Sequence, residues 1–328
     1  MSLTMVLVTG ATGFLGRRLV DQLIRQGFGV RAFVRKTSDT AKLQAAGADI
    51  VSGDVRDADS LKAAMEGVDV VVHAAADTSG NARDGHLVTV MGTKNAMEAA
   101  ASAGVKQFIY ISSCSVYGIF DCQPGQVVDE SGPLERFPGK RGAYSMAKFE
   151  AEQIVLKAMA EMKMKITCLR PGTIWGPGGE TFTPMMGIRV GAGCIGIIGT
   201  KGFVLPLVYL DNLIDAITHC IDHHRAYNQV FNVVDTWQVN KSTYTDKVLK
   251  PLFPEACFFK IPYRALYAIV WMQEIMFRVL RREPYMTRYR LISSQRPVVY
   301  SPGKIGHELG WRGKVGFDEA AREVLGSK

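Results

Sequence analysis

A glycine-rich loop between a strand pattern and a helix pattern constrains this chain most. The run is Thr9-Gly10-Ala11-Thr12-Gly13-Phe14-Leu15-Gly16, preceded by an apolar run and followed by leucines at helical spacing. Glycines let the backbone turn tightly and approach a pyrophosphate, and the helix N-terminus attracts an anion. Because strand, loop and helix stand in the required order, the sequence predicts a dinucleotide-binding unit.

The first 170 residues repeat this order of strand and helix. Predicted strands are Met5 to Thr9, Val30 to Val34, Asp49 to Ser52, Val68 to His73, Gln107 to Ser112 and Lys165 to Leu169. Predicted helices lie near 14–26, 58–66, 84–103 and 143–163. Two of the strand runs barely alternate in polarity, as expected for strands covered on both faces. We therefore predict an α/β fold, with a doubly wound parallel (Rossmann) sheet over residues 1–171.

Beyond Pro171 the predicted elements become shorter and richer in glycine and proline. Helices are predicted near 211–223, 241–250, 262–281 and 317–326. We expect residues 172–328 to form a smaller, mixed α/β substrate-binding lobe. The chain is expected to cross back to the sheet near 203–235.

Composition is typical of a globular protein, with 47% hydrophobic and 21% charged residues. The apolar pattern begins at Met5 without a basic segment or cleavage site, which argues against a signal peptide. The six cysteines are scattered without metal-ligand spacing, which indicates buried thiols in a reducing compartment. We expect a cytoplasmic protein without a metal site.

The end of the second strand bears on the choice of dinucleotide. It reads Phe33-Val34-Arg35-Lys36, with no acid where an NAD enzyme usually binds the ribose 2′-hydroxyl. A guanidinium suits a 2′-phosphate, and one charge-assisted hydrogen bond contributes about 1.5–3 kcal/mol. Arg35 could instead stack on adenine or be solvated. The predicted cofactor is NADP, with NAD as the alternative.

Two further runs follow strands three and four, whose carboxyl ends line the ligand crevice of such a sheet. They are Gly53-Asp54-Val55-Arg56-Asp57 and His73-Ala74-Ala75-Ala76. Asp54 could accept a hydrogen bond from an adenine amino group, and the alanines let a ribose lie against backbone. In isolation, Asp54 is typical of a helix cap and His73 of a buried, hydrogen-bonded histidine.

Tyr144 and Lys148 stand four residues apart at the start of a helical pattern. On one helix face their Cβ atoms lie about 5–6 Å apart. A nearby ammonium favours the phenolate and lowers the pKa of a tyrosine. The spacing alone also fits an aromatic anchor beside a solvated lysine.

Together these motifs resemble the extended short-chain dehydrogenase/reductase family, within the NAD-dependent epimerase/dehydratase superfamily, over essentially the whole chain. The resemblance adds Ser112-Ser113 with Val116-Tyr117-Gly118, and Leu169-Arg170-Pro171-Gly172-Thr173, in the family's order.

The resemblance implies a catalytic triad. Tyr144 would be the general acid or base on the substrate oxygen, and Ser113 would hydrogen-bond that oxygen. Lys148 would bind the nicotinamide ribose and hold the tyrosine pKa down, helped by the positive nicotinamide ring of the oxidised cofactor. Ser112 is the alternative to Ser113, which stands four residues before Tyr117 as the family pattern places it. Further cofactor contacts are implied for the glycine loop, Arg35, Asp54, Val55, Ala74, Ala75, Ala76, Pro171 and Thr173.

Departures from the family pattern narrow the implied chemistry. Dehydratases carry an acidic pair just after the position of Ser113, where this chain has Cys114 and Ser115. Sugar-nucleotide epimerases usually place an arginine on the diphosphate, about where Leu205 stands. Thr89 occupies a position that is usually asparagine and belongs to the proton relay.

Within the family, the resemblance is closest to 3β-hydroxysteroid dehydrogenases and dihydroflavonol or cinnamoyl-CoA reductases. It implies an NADP(H)-preferring dehydrogenase or reductase acting on an alcohol or ketone of a small apolar substrate. The alternatives are a nucleotide-sugar epimerase and a non-catalytic NADP(H)-sensing protein. Relatives often form homodimers through the helix that carries the tyrosine.

The segment 262–282 is apolar nearly all round and lies in a basic stretch. Residues 260–296 hold eight basic and two acidic residues. Three interpretations compete for it: a packed helix of the second lobe, a lid over an apolar substrate, and peripheral membrane contact with arginines on acidic headgroups. Nucleic-acid binding is not expected, because the basic residues are not organised with stacking aromatics on a recognised module.

Overall fold

The computed structural model describes residues 3–190, 193–199, 203–282 and 284–327. Its strands are β1 (Met5–Thr9), β2 (Gly29–Val34), β3 (Asp49–Ser52), β4 (Val70–His73), β5 (Gln107–Ile111), β6 (Val127–Val128), β7 (Lys165–Pro171), β8 (Thr173–Trp175), β9 (Gly187–Val190), β10 (Cys194–Gly199), β11 (Leu207–Tyr209), β12 (Gln229–Val233), β13 (Cys257–Pro262) and β14 (Val299–Tyr300).

The α-helices alternate with these strands in the first half of the chain. They are α1 (Phe14–Arg25), α2 (Ala41–Ala45), α3 (Ala58–Ala64), α4 (Ala82–Asp84), α5 (Gly92–Ser102), α6 (Pro138–Arg141), α7 (Ala143–Glu161), α8 (Leu210–Cys220), α9 (Lys241–Tyr244), α10 (Lys250–Leu252), α11 (Tyr263–Val279), α12 (Arg288–Gln295), α13 (Gly303–Leu309) and α14 (Phe317–Gly326). Two π-helical segments, Gly85–Met91 and Thr245–Leu249, and two 3-10 turns, Cys114–Val116 and His224–Ala226, complete the set.

The main sheet has seven strands in the order β3-β2-β1-β4-β5-β7-β12. Every pair in it is parallel. The predicted Rossmann architecture is therefore confirmed, and the six predicted strands appear with ends shifted by at most two residues. The regular spacing of buried Val, Ile and Leu explains this agreement, because parallel strands are covered on both faces.

Two layers of apolar side chains cover the sheet. Leu19, Val20 and Leu23 of α1 lie on one face together with Ile214 and Ile217 of α8. The other face is covered by apolar residues of α3, α5 and α7. Crossovers on both faces leave one crevice at the carboxyl ends of the central strands.

The second lobe contains three small sheets. β10 pairs with β9 and β13, β8 pairs with β11, and β6 pairs with β14. Trp175, Tyr209 and Tyr244 form part of its buried core. Between these pieces the chain returns to the main sheet, where β12 pairs with β7.

A buried ion pair between β7 and α7 is connected by hydrogen bonds to the returning strand β12. Arg170 on β7 lies 2.7 Å from Glu152 on α7, and both side chains are buried. Ser112, just after β5, donates a hydrogen bond to the same carboxylate. Arg170 also donates to the Tyr117 hydroxyl (2.8 Å), which in turn donates to Asn232 on β12 (2.6 Å). One network thus fixes α7 relative to three neighbouring strands.

Two features of the second half of the chain bear on the sequence analysis. Helix α11 forms with Val270 as its one buried residue, which argues against the packed helix among its three interpretations. All six cysteines are free thiols, yet Cys257 is exposed and Cys194 half-buried. Both lie on the small sheet of β9, β10 and β13.

We predict that Arg170→Met destabilises the protein by about 3–5 kcal/mol, because the Glu152 carboxylate then stays buried without its counter-charge. Urea unfolding followed by circular dichroism measures the change. The double variant Glu152→Leu/Arg170→Met removes both charges and should recover most of the loss. A double variant as unstable as the single one would contradict this account.

Candidate active site

The glycine loop forms a cradle at the carboxyl end of β1. Gly13 is the N-cap residue of α1, so no side chain covers the first amide groups of that helix. Gly10 has φ +69°, and a Cβ there would lie 2.9 Å from the backbone nitrogen of Ala75. Only glycine leaves this space open, and exposed amides at a helix N-terminus bind phosphate. The residues present therefore fit a dinucleotide.

A cleft of about 670 Å³ extends from this cradle along the sheet edge. It brings together nine of the predicted cofactor residues: Gly10, Thr12, Gly13, Arg35, Asp54, Val55, Ala74, Ala75 and Ala76. Leu15 is instead a core residue, and Gly16 faces the loop backbone. The Phe14 ring packs over Gly179. A cofactor in the cleft would meet Leu15 and Gly16 through their backbone.

Charges at the far end of the cleft are arranged in a way that the sequence did not suggest. Arg56 binds both carboxylate oxygens of Asp54, with N–O distances of 2.9 and 2.6 Å. These hydrogen bonds hold the pKa of Asp54 below its usual range. Arg35 is exposed at the end of β2. Arg56 therefore adds a second guanidinium to the cleft. Its place two residues after Asp54 was the sequence feature that could have predicted this pair.

Tyr144 lies at the start of α7, one residue after its first residue. The helix begins directly after Gly142, whose φ of +103° turns the chain sharply. The Tyr144 side chain is half-buried and shares a hydrogen bond with Ser113. Burial raises the pKa of Tyr144, and the Ser113 hydrogen bond opposes this rise. The tyrosine is therefore protonated at neutral pH.

Lys148 is buried and makes its contacts at the end of β5. The Lys148 ammonium donates to the backbone oxygen of Ile111 (2.7 Å) and lies 5.2 Å from the centre of the Tyr110 ring. Burial lowers the pKa of Lys148 to about 8. Burial of the phenol acts in the opposite direction on the tyrosine, so the lower Tyr144 pKa expected from Lys148 together with an oxidised nicotinamide stays a prediction.

The two serines after β5 point in different directions. Ser113 is the one that meets Tyr144, and its hydroxyl accepts a hydrogen bond from the backbone of Ser115 (3.1 Å). Ser112 is buried and bound to Glu152. The geometry thus places Ser113 beside the tyrosine and Ser112 in the network beneath it.

Pro171 and Thr173 lie where the chain leaves the main sheet. Pro171 ends β7 and is buried, and the Thr173 amide donates to Pro206 (2.6 Å). Between them the Gly172 amide donates to Val233 (3.1 Å). This turn joins the carboxyl end of β7 to the second lobe.

Thr89 lies in the π-helical segment Gly85–Met91 that runs into α5. Its hydroxyl is buried and accepts a hydrogen bond from the Asp77 amide (2.9 Å). Its carbonyl accepts from Thr93 (2.6 Å), whose hydroxyl also contacts the His73 ring (3.1 Å). His73 is buried with both ring nitrogens hydrogen-bonded, as predicted for an isolated histidine. π-helical turns often occur at functional sites, and no local sequence pattern predicted this one.

Two positions at which this sequence departs from the epimerase and dehydratase patterns, Leu205 and Cys114, carry uncharged side chains. Leu205 is buried in the core of the second lobe. Cys114 is buried and donates to the Arg170 carbonyl (3.3 Å), and burial raises the pKa of its thiol. Neither position offers a charge to a diphosphate or to an elimination step.

Comparisons with known proteins agree with this geometry. The profile of the NAD dependent epimerase/dehydratase family matches residues 6–233. A 4-hydroxy-2-methyl-3-oxo-4-farnesyl-3,4-dihydroquinoline-1-oxide ketoreductase of Stigmatella aurantiaca is 30% identical, covering 94% of this chain and 92% of the relative. A 3-beta-hydroxysteroid dehydrogenase of Mycolicibacterium neoaurum is also 30% identical, covering 98% and 90%. The crystal structure of gox2253 superposes with a TM-score of 0.80 at 25% identity, covering 99% of this chain and 97% of that one.

The fold and the site define a nicotinamide-dependent enzyme of the extended short-chain type. The chain belongs to the NAD-dependent epimerase/dehydratase family, and it is similar to the 3β-hydroxysteroid dehydrogenase branch of that family. It is an NAD(P)-dependent oxidoreductase.

We predict that Ser113→Ala lowers kcat by about 10²–10³-fold, the usual loss when one donor to a reacting oxygen is removed. Ser112→Ala is the matched control. It should leave turnover nearly unchanged and reduce stability by about 1–3 kcal/mol, because the buried Glu152 carboxylate loses a donor. Steady-state kinetics and urea unfolding of both variants separate the two roles. The reverse pattern would assign the reacting serine to Ser112.

Proposed function

We propose that this protein is an NADP(H)-preferring oxidoreductase that interconverts a secondary alcohol and a ketone on an apolar, steroid- or acyl-like substrate. The observation that carries the proposal is that the Tyr144 and Ser113 side chains lie next to each other, with Ser113 just after β5 at the carboxyl end of the sheet. Two hydroxyls that converge at such an edge can bind one substrate oxygen from two directions.

The protonated hydroxyl of Tyr144 is suited to the reduction of a carbonyl. Its raised pKa keeps the hydroxyl protonated, so it can donate a proton to a carbonyl oxygen during reduction. Ser113 would hydrogen-bond the same oxygen and orient it. The bound nicotinamide supplies or accepts the hydride. In the reverse direction Tyr144 would take the alcohol proton.

The side chain at position 205 favours an apolar substrate over a nucleotide sugar. Leu205 is 4% exposed and packs with aromatic residues, so a diphosphate would find no cation from that position. Relatives named for ketones and steroids match this chain over most of its length. An epimerase of the same family remains the alternative. UDP-glucose at millimolar concentration should leave the melting temperature unchanged, and a shift as large as that caused by NADPH would favour the epimerase.

The preference for NADP rests on Arg35 and on the absence of an acid at the end of β2. Arg35 lines the cleft at that strand end, and Arg56 is held nearby by Asp54. A 2′-phosphate would meet one guanidinium directly and a second at the same end of the cleft. Loop glycines and the Ala74 to Ala76 backbone would hold the rest of the dinucleotide.

We predict that Tyr144→Phe lowers turnover by at least about 10²-fold, since it removes the general acid or base. NADPH binding, measured by fluorescence titration, should be unchanged. Assays follow NADPH oxidation with 3-ketosteroids and 2-alkyl-3-oxo acids, and NADP⁺ reduction with 3β-hydroxysteroids. Tyr285→Phe is the control, because Tyr285 is 82% exposed. Near-native turnover of Tyr144→Phe would exclude this mechanism, and no turnover of the wild type on any substrate would favour the NADP(H)-sensing alternative.

We predict that Arg35→Ala weakens NADPH binding about ten- to hundredfold, which corresponds to one lost charge-assisted hydrogen bond. NADH binding should change little, because NADH lacks the 2′-phosphate. Arg25→Ala, with the same charge change at the far end of α1, is the control. Equal weakening of both cofactors by Arg35→Ala would mean that Arg35 contacts the adenine and not a phosphate.

A further inference from the structure

Helix α11 presents most of its apolar side chains to solvent, whereas Gln273 and Glu274 face the protein. Seven of its residues and the residue after it form an exposed apolar row at helical spacing; they are Ala265, Ala268, Ile269, Met272, Ile275, Met276, Val279 and Leu280. We call this row the α11 stripe. Five of its large side chains are between 45% and 56% exposed, and Val279 is 78% exposed. On a helix that rests on a water-soluble core, the apolar face points inward.

The inward face of α11 makes polar contacts that hold it in this orientation. Gln273 donates to the Met286 carbonyl (2.8 Å). Glu274 accepts from the Arg288 backbone (2.7 Å) and forms an ion pair with its guanidinium (2.6 Å). Val270 is the buried residue between them. Two of the four strongly polar residues of the helix therefore face the protein, and the outward stripe is built by the fold.

Basic and aromatic residues border the α11 stripe. Arg264, Trp271 and Arg278 are seven residues apart, which is about two helical turns, so they form one row along its edge. Trp271 is 45% exposed. Six basic residues of this region are exposed, and none forms an ion pair with a described carboxylate; they are Lys260, Arg264, Arg278, Arg281, Arg282 and Arg290.

The apolar stripe and its basic, aromatic border indicate which kind of surface α11 would bind. A row of apolar side chains flanked by arginines and a tryptophan suits the boundary between lipid headgroups and acyl chains. A second copy of the chain fits less well, because a twofold interface through the stripe would bring two sets of arginines together. No helix among the described residues is long and apolar enough to cross a membrane.

We propose that α11 is an interfacial membrane-binding helix, which lies in the plane of an anionic lipid surface with the α11 stripe in the acyl region and the flanking arginines on the headgroups. The helix is connected to the active site through α12. Arg290 on α12 packs against Gly142, directly before the helix of Tyr144, and the Tyr289 hydroxyl donates to Glu135. The membrane surface would therefore lie on the side of the molecule from which α7 begins.

Vesicle flotation of the full chain tests this proposal without using catalytic activity. We expect the protein to float with vesicles of phosphatidylcholine containing 30 mol% phosphatidylglycerol, and to float at least tenfold less with phosphatidylcholine alone. Salt at 0.5 M should reduce binding, because it screens the arginines. A wild-type protein that stays unbound with both kinds of vesicle overturns the proposal.

Two variants separate the apolar and the charged contributions. Met272→Glu/Ile275→Glu should reduce binding to anionic vesicles at least tenfold, as should Arg281→Glu/Arg282→Glu. Lys62→Glu/Lys157→Glu has the same charge change on exposed positions of α3 and α7, and should bind at least half as well as the wild type. Equal loss in this control would reduce the effect to net charge and overturn the proposal.

Light scattering tests whether a second copy of the chain covers the α11 stripe instead of lipid. Equal melting temperatures of the wild type and Met272→Glu/Ile275→Glu show that the variant folds, as expected for exposed positions. A dimer in solution that this variant converts to a monomer would make the α11 stripe an interface between copies, which overturns membrane binding. An oligomeric state unchanged by the variant supports it.

Discussion

The ion pair between Glu152 and Arg170 is the interaction on which the geometry of the site depends. Two charges buried in the protein are tolerated only when each is hydrogen-bonded by fixed partners, because their desolvation is costly. Here those partners come from the end of β5 and from Tyr117, and through Tyr117 from β12. The pair thus sets the position of α7 against the sheet. That position in turn brings Tyr144 to Ser113.

The second lobe follows a different principle from the sheet. Its core contains a cluster of aromatic rings around Trp175, whereas α11 and the β13 strand before it leave large apolar side chains in solvent. The polar contacts of Gln273 and Glu274 hold α11 in this orientation. The apolar surface and the start of α7 are joined by α12. In an oxidoreductase with an apolar substrate, α12 would thus connect the α11 stripe to the helix that carries Tyr144.

Local patterns predicted the elements well where the chain repeats one unit. Strands β1, β2, β4, β5 and β7 were recognisable because most of their residues are buried, so their apolar runs are nearly continuous. The glycine loop was recognisable because only glycine fits its backbone. Strand β12 was harder to predict, since its partner β7 lies about 60 residues earlier in the chain. The π-helical turn at Thr89 was not predicted, because such turns are rare and occur inside α-helices.

The sequence by itself determined the family, the dinucleotide loop and the candidate tyrosine, because each depends on residue types at short, fixed spacings. Tertiary structure decided which serine meets Tyr144, since Ser112 and Ser113 differ only in the direction of their side chains. It also buried the phenol of Tyr144, which raises the pKa of that hydroxyl, because burial is a property of the whole fold. The orientation of α11 was decided in the same way. A helix that is apolar nearly all round does not specify its inward face, and contacts with Met286 and Arg288 selected it.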